Sequence, residues 1–133
     1  MSCISLVIAD RHPVVLQGLV QMLGALRDFK IVASCGDGKN CIEALRKLVP
    51  DVALIDVSMP GLTGPQILAF AHSESLPTRL MLFADEVHEL VMAAAAGAHG
   101  VILKNVAPEI LLAVLAKGRG GPPAAYYVRR ERY

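Results

Sequence analysis

Two aspartates and one lysine stand at the ends of three short apolar runs in this sequence: Asp10, Asp56 and Lys104. If these runs are parallel strands of one sheet, the three side chains meet at its carboxyl edge, where open parallel sheets bind ligands. Two neighbouring carboxylates repel each other unless a cation lies between them. Mg²⁺ is the natural cation because it prefers carboxylate oxygens, and Lys104 would supply a point charge for phosphate oxygens. The three residues therefore predict a site for a magnesium ion and a phosphate group.

The elements that would position these residues alternate along the chain. Five short apolar runs without a clean apolar/polar alternation are typical of strands covered on both faces: residues 4–9, 31–35, 52–55, 80–83 and 101–103. Apolar residues at helical spacing follow each run, and Pro13 suits the first turn of the first helix. Right-handed connections then place helices on both faces of the sheet. The sequence predicts an α/β fold, a flavodoxin-like (βα)5 doubly wound parallel sheet with strand order 2-1-3-4-5.

Length and composition limit the class of protein. The 133 residues fit one domain, and a chain that is 54% hydrophobic and only 19% charged is not disordered. We place the domain at residues 1–118 and interpret 119–133 as a linker or C-terminal tail, because Gly120-Gly121-Pro122-Pro123 should break any helix. The net charge of +1 creates no strong field for nucleic acid or an anionic membrane.

The sequence also predicts a cytoplasmic location. It shows no signal peptide and no apolar stretch long enough to span a bilayer, so no membrane partner is expected. The three cysteines form no CxxC pair, and free thiols are the default in a reducing compartment. Cys3 and Cys35 lie in apolar runs, and we expect both thiols to be buried.

Three segments resemble one known family, the receiver domains of two-component response regulators. Residues 9–13 (ADRHP) are similar to the acidic loop of these receivers, especially in the branch that carries LuxR-type helix-turn-helix outputs. Residues 51–64 (DVALIDVSMPGLTG) are similar to their phosphorylation segment, and residues 97–104 (GAHGVILK) to their closing strand and lysine. The resemblance extends over residues 4–117.

The resemblance implies a function and a site. Asp56 would accept a phosphoryl group from a sensor histidine kinase, with its carboxylate as the nucleophile. Mg²⁺ and Lys104 would neutralise the charge on the transferring oxygens. Asp10, Asp56 and the backbone carbonyl of Ser58 would hold the ion. Such a receiver controls an output, here transcription, and would reach DNA only through an effector domain that these residues do not include.

Arg11 departs from the family's pattern beside the metal site. It stands where the family carries a second acidic residue, and a guanidinium cannot bind Mg²⁺. Arg11 could instead pair with Asp10 or Asp56 as a built-in cation, or it could extend to solvent. Metal binding and phosphorylation of Asp56 are weakened in either case.

The positions that report phosphorylation also differ from the family. Ala84, or Phe83 if the register slips by one residue, replaces a serine or threonine whose hydroxyl bonds the phosphoryl group. Val101 replaces the tyrosine or phenylalanine whose ring follows that hydroxyl inward. Asp85 would place negative charge near an incoming phosphate. These losses lead to an alternative hypothesis, a phosphorylation-independent receiver that acts as an interaction module, with its fourth and fifth helices as a homodimer face.

Two other classes of function are weaker alternatives. Flavodoxin-like domains bind flavin or cobalamin at the same edge. Asp10-Arg11-His12 begins like a cobalamin-binding pattern, but Val15 replaces its glycine, and no serine- or threonine-rich loop follows the first strand to hold a flavin phosphate. The sequence also contains no G-x-G-x-x-G, no P-loop and no visible Ser/His/Asp arrangement, so we do not expect an enzyme.

Overall fold

The computed structural model describes residues 3–117; the predicted tail at 119–133, and the predicted domain end at residue 118, lie outside them. Strands and helices alternate through the described residues: β1 (Ile4–Ala9), α1 (Pro13–Gly24), β2 (Phe29–Cys35), α2 (Gly38–Leu48), β3 (Val52–Asp56), α3 (Gly64–Ser73), β4 (Arg79–Ala84), α4 (Val87–Ala95), β5 (Gly100–Leu103) and α5 (Pro108–Lys117). The strands form one parallel sheet in the order β2-β1-β3-β4-β5. The predicted flavodoxin-like fold is confirmed.

Each predicted apolar run is a strand, and several strands extend past their runs. Arg79 and Asp56 lie outside the runs, yet both pair in the β3–β4 ladder, Arg79 with Val52 and Asp56 with Phe83. Backbone pairing therefore continues after the apolar side chains end. For Asp56 this means that the side chain leaves from the sheet itself and not from a loop.

Cores on both faces of the sheet explain why the runs are continuously apolar. Successive side chains of a strand point to opposite faces. Val7 and Ala53 contribute to a core completed by α2, α3 and α4, whereas Leu6 and Leu54 contribute to a core completed by α1 and α5. Between residues 3 and 117, no helix has the length and apolar character needed to cross a bilayer.

One of the two expected buried thiols is exposed. Cys35 is buried as predicted, but the prediction for Cys3 is wrong. Cys3 precedes β1, so the sheet does not cover it, and its Sγ donates to the carbonyl of Arg27 at 3.0 Å. Burial, with the nearby Cys35 and Asp37, raises the pKa of Cys41 to about 12, so this thiol stays protonated and inert at neutral pH.

The start of α2 packs directly on the loop that follows β3. The N–H of Gly38 donates to the carbonyl of Pro60 at 3.0 Å. A Cβ atom on Gly38 would lie 2.6 Å from the Cβ and 2.7 Å from the carbonyl oxygen of Leu62. Only glycine allows this approach, which supports the loop that leaves the carboxyl end of β3.

We predict that Gly38→Ala lowers the free energy of unfolding by about 2 kcal/mol, because the new methyl group must displace backbone. Urea denaturation followed by circular dichroism would measure the loss. Gly36→Ala is the matched control, since a Cβ at Gly36 meets nothing within 4 Å; we expect it to change stability by less than about 0.5 kcal/mol. Equal stability of the two variants would contradict the packing argument.

Candidate functional site

Three side chains singled out in the sequence lie together at the carboxyl edge of the sheet. Asp10, just after β1, and Asp56, at the end of β3, are both buried. Lys104 follows β5, and its Nζ lies 2.9 Å from Asp10 Oδ2 and 3.4 Å from Asp56 Oδ1. Buried carboxylates are costly unless they are paired, and the Lys104 ammonium pairs with both.

Arg11 supplies a second cation to the same carboxylate. Its Nη1 lies 3.1 Å and 3.2 Å from the two carboxylate oxygens of Asp56 and donates to the Ser58 carbonyl at 3.0 Å. Its backbone N–H also donates to Asp56 Oδ2 at 3.2 Å. Of the arrangements left open by the sequence, the structure therefore has Arg11 paired with Asp56. The side chain is 28% exposed, so solvent weakens the pair only in part.

Asp85 takes part in this charge cluster. Its Oδ2 lies 2.7 Å from Nη2 of Arg11 and 3.9 Å from Nζ of Lys104. One guanidinium thus holds Asp56 with one nitrogen and Asp85 with the other. The carboxylates of Asp10, Asp56 and Asp85 face two side-chain cations, Arg11 and Lys104.

The ligands predicted for Mg²⁺ already contact side-chain nitrogens. Asp10, His12 and Asp56 have potential ligand atoms within 4.8 Å of one another. However, Lys104 Nζ lies among them, at 3.4 Å from His12 Nδ1 and at the distances given above from the carboxylates. The Ser58 carbonyl accepts from Arg11. Mg²⁺ therefore does not fit the site as it is arranged, because Arg11 or Lys104 would first have to move.

Ala84 and Val101, which the family resemblance assigns to the phosphorylation switch, offer no polar group. Ala84 is the last residue of β4 and pairs with Leu103 of β5. Ala84 and Val101 are buried in the same apolar core. Phe83 points to the opposite core, where its ring centroid lies 5.9 Å from Lys104 Nζ.

Sequence reasoning missed a contact between the Asp56 loop and α4. The hydroxyl of Ser58 donates to Glu89 Oε2 at 3.0 Å, and Glu89 Oε1 accepts from the backbone N–H groups of Asp85 and Glu86 at 3.0 and 3.1 Å. The Glu86-x-x-Glu89 spacing is that of a helix start with an acidic N3 residue. This signal could have indicated the hydrogen bonds from the backbone N–H groups of Asp85 and Glu86 to Glu89. It could not have indicated the partner Ser58.

Opposing effects act on the ionisation of Glu89. Burial favours its neutral form, but hydrogen bonds from Ser58 and from the backbone of Glu86 and Asp85, together with the charge of Arg11, outweigh burial and hold the pKa of Glu89 below its ordinary value of 4.5. Glu89 is thus a carboxylate at neutral pH and a strong acceptor for the Ser58 hydroxyl.

Comparisons with known proteins agree on one family. Residues 6–116 match the family described as response regulator receiver domain. NarL of Mycobacterium tuberculosis, named a probable transcriptional regulatory protein, is 38% identical over an alignment 121 residues long, which covers 87% of this chain and 56% of NarL. The nitrate/nitrite response regulator protein NarL of Escherichia coli is 33% identical over an alignment 119 residues long, which covers 88% of this chain and 55% of that protein. The solved signal receiver domain of M. tuberculosis NarL superposes with a TM-score of 0.82 at 35% identity, covering 91% of this chain and 100% of that one.

We predict that Arg11→Met lowers the free energy of unfolding by about 2 kcal/mol, because Asp56 stays buried and loses its closest cation. Urea denaturation at neutral pH would measure it. Arg27→Met is the matched control, since the exposed Arg27 makes no ion pair among the described residues; we expect a change below about 0.5 kcal/mol. If Arg11→Met unfolds with the same free energy as the wild type, the Arg11–Asp56 pair contributes nothing to stability.

Proposed function

This chain belongs to the response regulator receiver domain family, and from that premise we propose that it is the receiver module of a response regulator, with Asp56 at the phosphoacceptor position. The chain spans about half the length of the curated relatives it matches. Control of transcription through an effector domain is therefore part of the proposal, as are a sensor histidine kinase as partner, a homodimer and a cytoplasmic location.

We further propose that this receiver works without metal-dependent phosphorylation. The observation that carries the proposal is the position of the Arg11 guanidinium, on both carboxylate oxygens of Asp56 and on the Ser58 carbonyl. These are oxygens that the family resemblance assigns to the metal. A permanent side-chain cation balances their charge, so burial of the Asp56 side chain does not require a divalent ion.

The same contacts reduce the reactivity of Asp56 as a nucleophile. Its Oδ1 accepts from the N–H of Ser58 at 3.1 Å and contacts Arg11 and Lys104, and its Oδ2 accepts from the backbone and side chain of Arg11. An attacking carboxylate oxygen must release such partners before it can approach phosphorus in line. Transfer to Asp56 is therefore expected to be slow.

A second candidate is slow phosphorylation without a metal ion. Arg11 and Lys104 both lie within 3.4 Å of Asp56, and side-chain cations can stabilise the charge of a transferring phosphoryl group. In this metal-independent reaction Arg11 would contact the phosphoryl oxygens during transfer, and its contact with the Asp56 carboxylate would be lost. Transfer would then occur to the same extent with and without Mg²⁺, which separates it from the usual reaction of the family.

The proposal predicts little acyl phosphate on the wild-type protein after incubation with acetyl phosphate and Mg²⁺, as measured by phosphate-affinity electrophoresis. Arg11→Asp removes the guanidinium and supplies a carboxylate, so we expect it to raise Asp56 labelling roughly tenfold or more. The same variant should gain thermal stability on Mg²⁺ or Mn²⁺ titration, whereas the wild type should not.

Two controls make this experiment specific. Asp56→Asn should abolish labelling in either background, and Arg27→Asp repeats the charge reversal at an exposed arginine away from the site. Rapid, Mg²⁺-dependent labelling of the wild type that disappears in Asp56→Asn would sink the metal-independent proposal and restore the ordinary receiver reaction.

A further inference from the structure

Five residues, from the end of β3, three loops and helix α4, form a closed ring of contacts, which we call the α4 tether: Arg11, Asp56, Ser58, Asp85 and Glu89. Arg11 pairs with Asp56 at 3.1 Å and with Asp85 at 2.7 Å. Ser58 donates its N–H to Asp56 and its hydroxyl to Glu89. Glu89 closes the ring by accepting from the backbone N–H of Asp85. Within this ring the start of α4 is therefore tied to Asp56 along two routes, and Lys104, at 3.4 Å from Asp56 and 3.9 Å from Asp85, adds a longer contact beside them.

The two routes change together when Asp56 changes. Nη1 and Nη2 belong to one planar guanidinium, so Arg11 cannot turn away from Asp56 without disturbing its pair with Asp85. Ser58 follows Asp56 by two residues and donates to its carboxylate at 3.1 Å, while its hydroxyl reaches α4. A shift of the Asp56 carboxylate therefore acts on the β4–α4 loop and on the first turn of α4.

The helix held by the tether carries an exposed apolar surface. Val87, Val91 and Met92 are 64%, 57% and 64% exposed. Ala84 and Val101, which would relay a change at Asp56 in the family's usual way, carry neither a hydroxyl nor a ring. The α4 tether is thus a direct polar connection between Asp56 and the helix that carries this surface.

We propose that the α4 tether couples the state of Asp56 to the position of α4, with Arg11, Ser58 and Glu89 as positioning residues. Displacement of Arg11 from Asp56, by any group that binds there, loosens the first turn of α4 and alters the surface formed by Val87, Val91 and Met92. The coupling requires only that a group displaces Arg11 from Asp56. The inference therefore holds whether phosphoryl transfer to Asp56 is ordinary, slow or absent.

Hydrogen exchange of the full chain, read separately in α4 and α3, tests the coupling. Asp56→Asn weakens the ion pair with Arg11 at the far end of the ring, and Ser58→Ala removes one route without disturbing the core. We expect each to raise amide exchange in α4 on the order of tenfold, the effect of a lost charge-assisted hydrogen bond, and to leave α3 unchanged. Asp28→Asn and Ser34→Ala are matched controls at exposed positions.

A double-mutant cycle decides whether the ring transmits the change. In a background with Asp85→Ala and Glu89→Ala, both routes of the ring and the Lys104–Asp85 contact are removed, so adding Asp56→Asn should have no further effect on exchange in α4. Unchanged α4 exchange in Asp56→Asn would overturn the proposal. So would an Asp56→Asn effect that persists in the cut background, or one that is equal in α3 and α4, because either shows that Asp56 acts through global stability or another path.

Discussion

A carboxylate buried at the end of a central strand must be neutralised, and most of the site follows from this requirement. β3 lies in the middle of the sheet, and pairing with β4 continues through Asp56, so the side chain starts inside the protein. An unpaired charge there would cost several kcal/mol. Cations must therefore come from other strands that end at the same edge, and the parallel sheet provides them: β1, next to β3, leads to Arg11, and β5, beyond β4, leads to Lys104.

Using arginine for this purpose differs physically from binding a divalent ion. A metal ion leaves and returns, whereas Arg11 is covalently attached and present at every moment. A guanidinium also has two outer nitrogens in a fixed plane, and here they contact Asp56, at the end of β3, and Asp85, just after β4. A spherical ion imposes no such orientation. With Arg11 as the cation instead of a bound metal ion, the charge that neutralises Asp56 also connects the β1–α1 loop to the β4–α4 loop.

The parts of this molecule that follow from backbone pattern were predictable from sequence, and those that depend on side-chain choice were not. Continuous apolar runs specified the strands because both faces of the sheet are covered, and the strand ends brought Asp10, Asp56 and Lys104 together. The partner of Arg11 could not be derived, since several carboxylates lie within reach of its long side chain. The Ser58–Glu89 bond joins residues 31 apart and depends on where α4 packs, which no local pattern reveals.

The charge balance indicates how the site would respond to a ligand. Asp10, Asp56 and Asp85 against Arg11 and Lys104 leave one net negative charge when His12 is neutral, which a buried cluster tolerates better than three unpaired carboxylates. A divalent cation would make the cluster positive while competing with Arg11 for the same oxygens. A phosphoryl group would add roughly 1.5 to 2 negative charges, and these would draw Arg11 and Lys104 toward its oxygens and away from Asp85 and Asp10. Either ligand therefore displaces Arg11 first. The Arg11–Asp85 pair is the contact through which this displacement would affect α4.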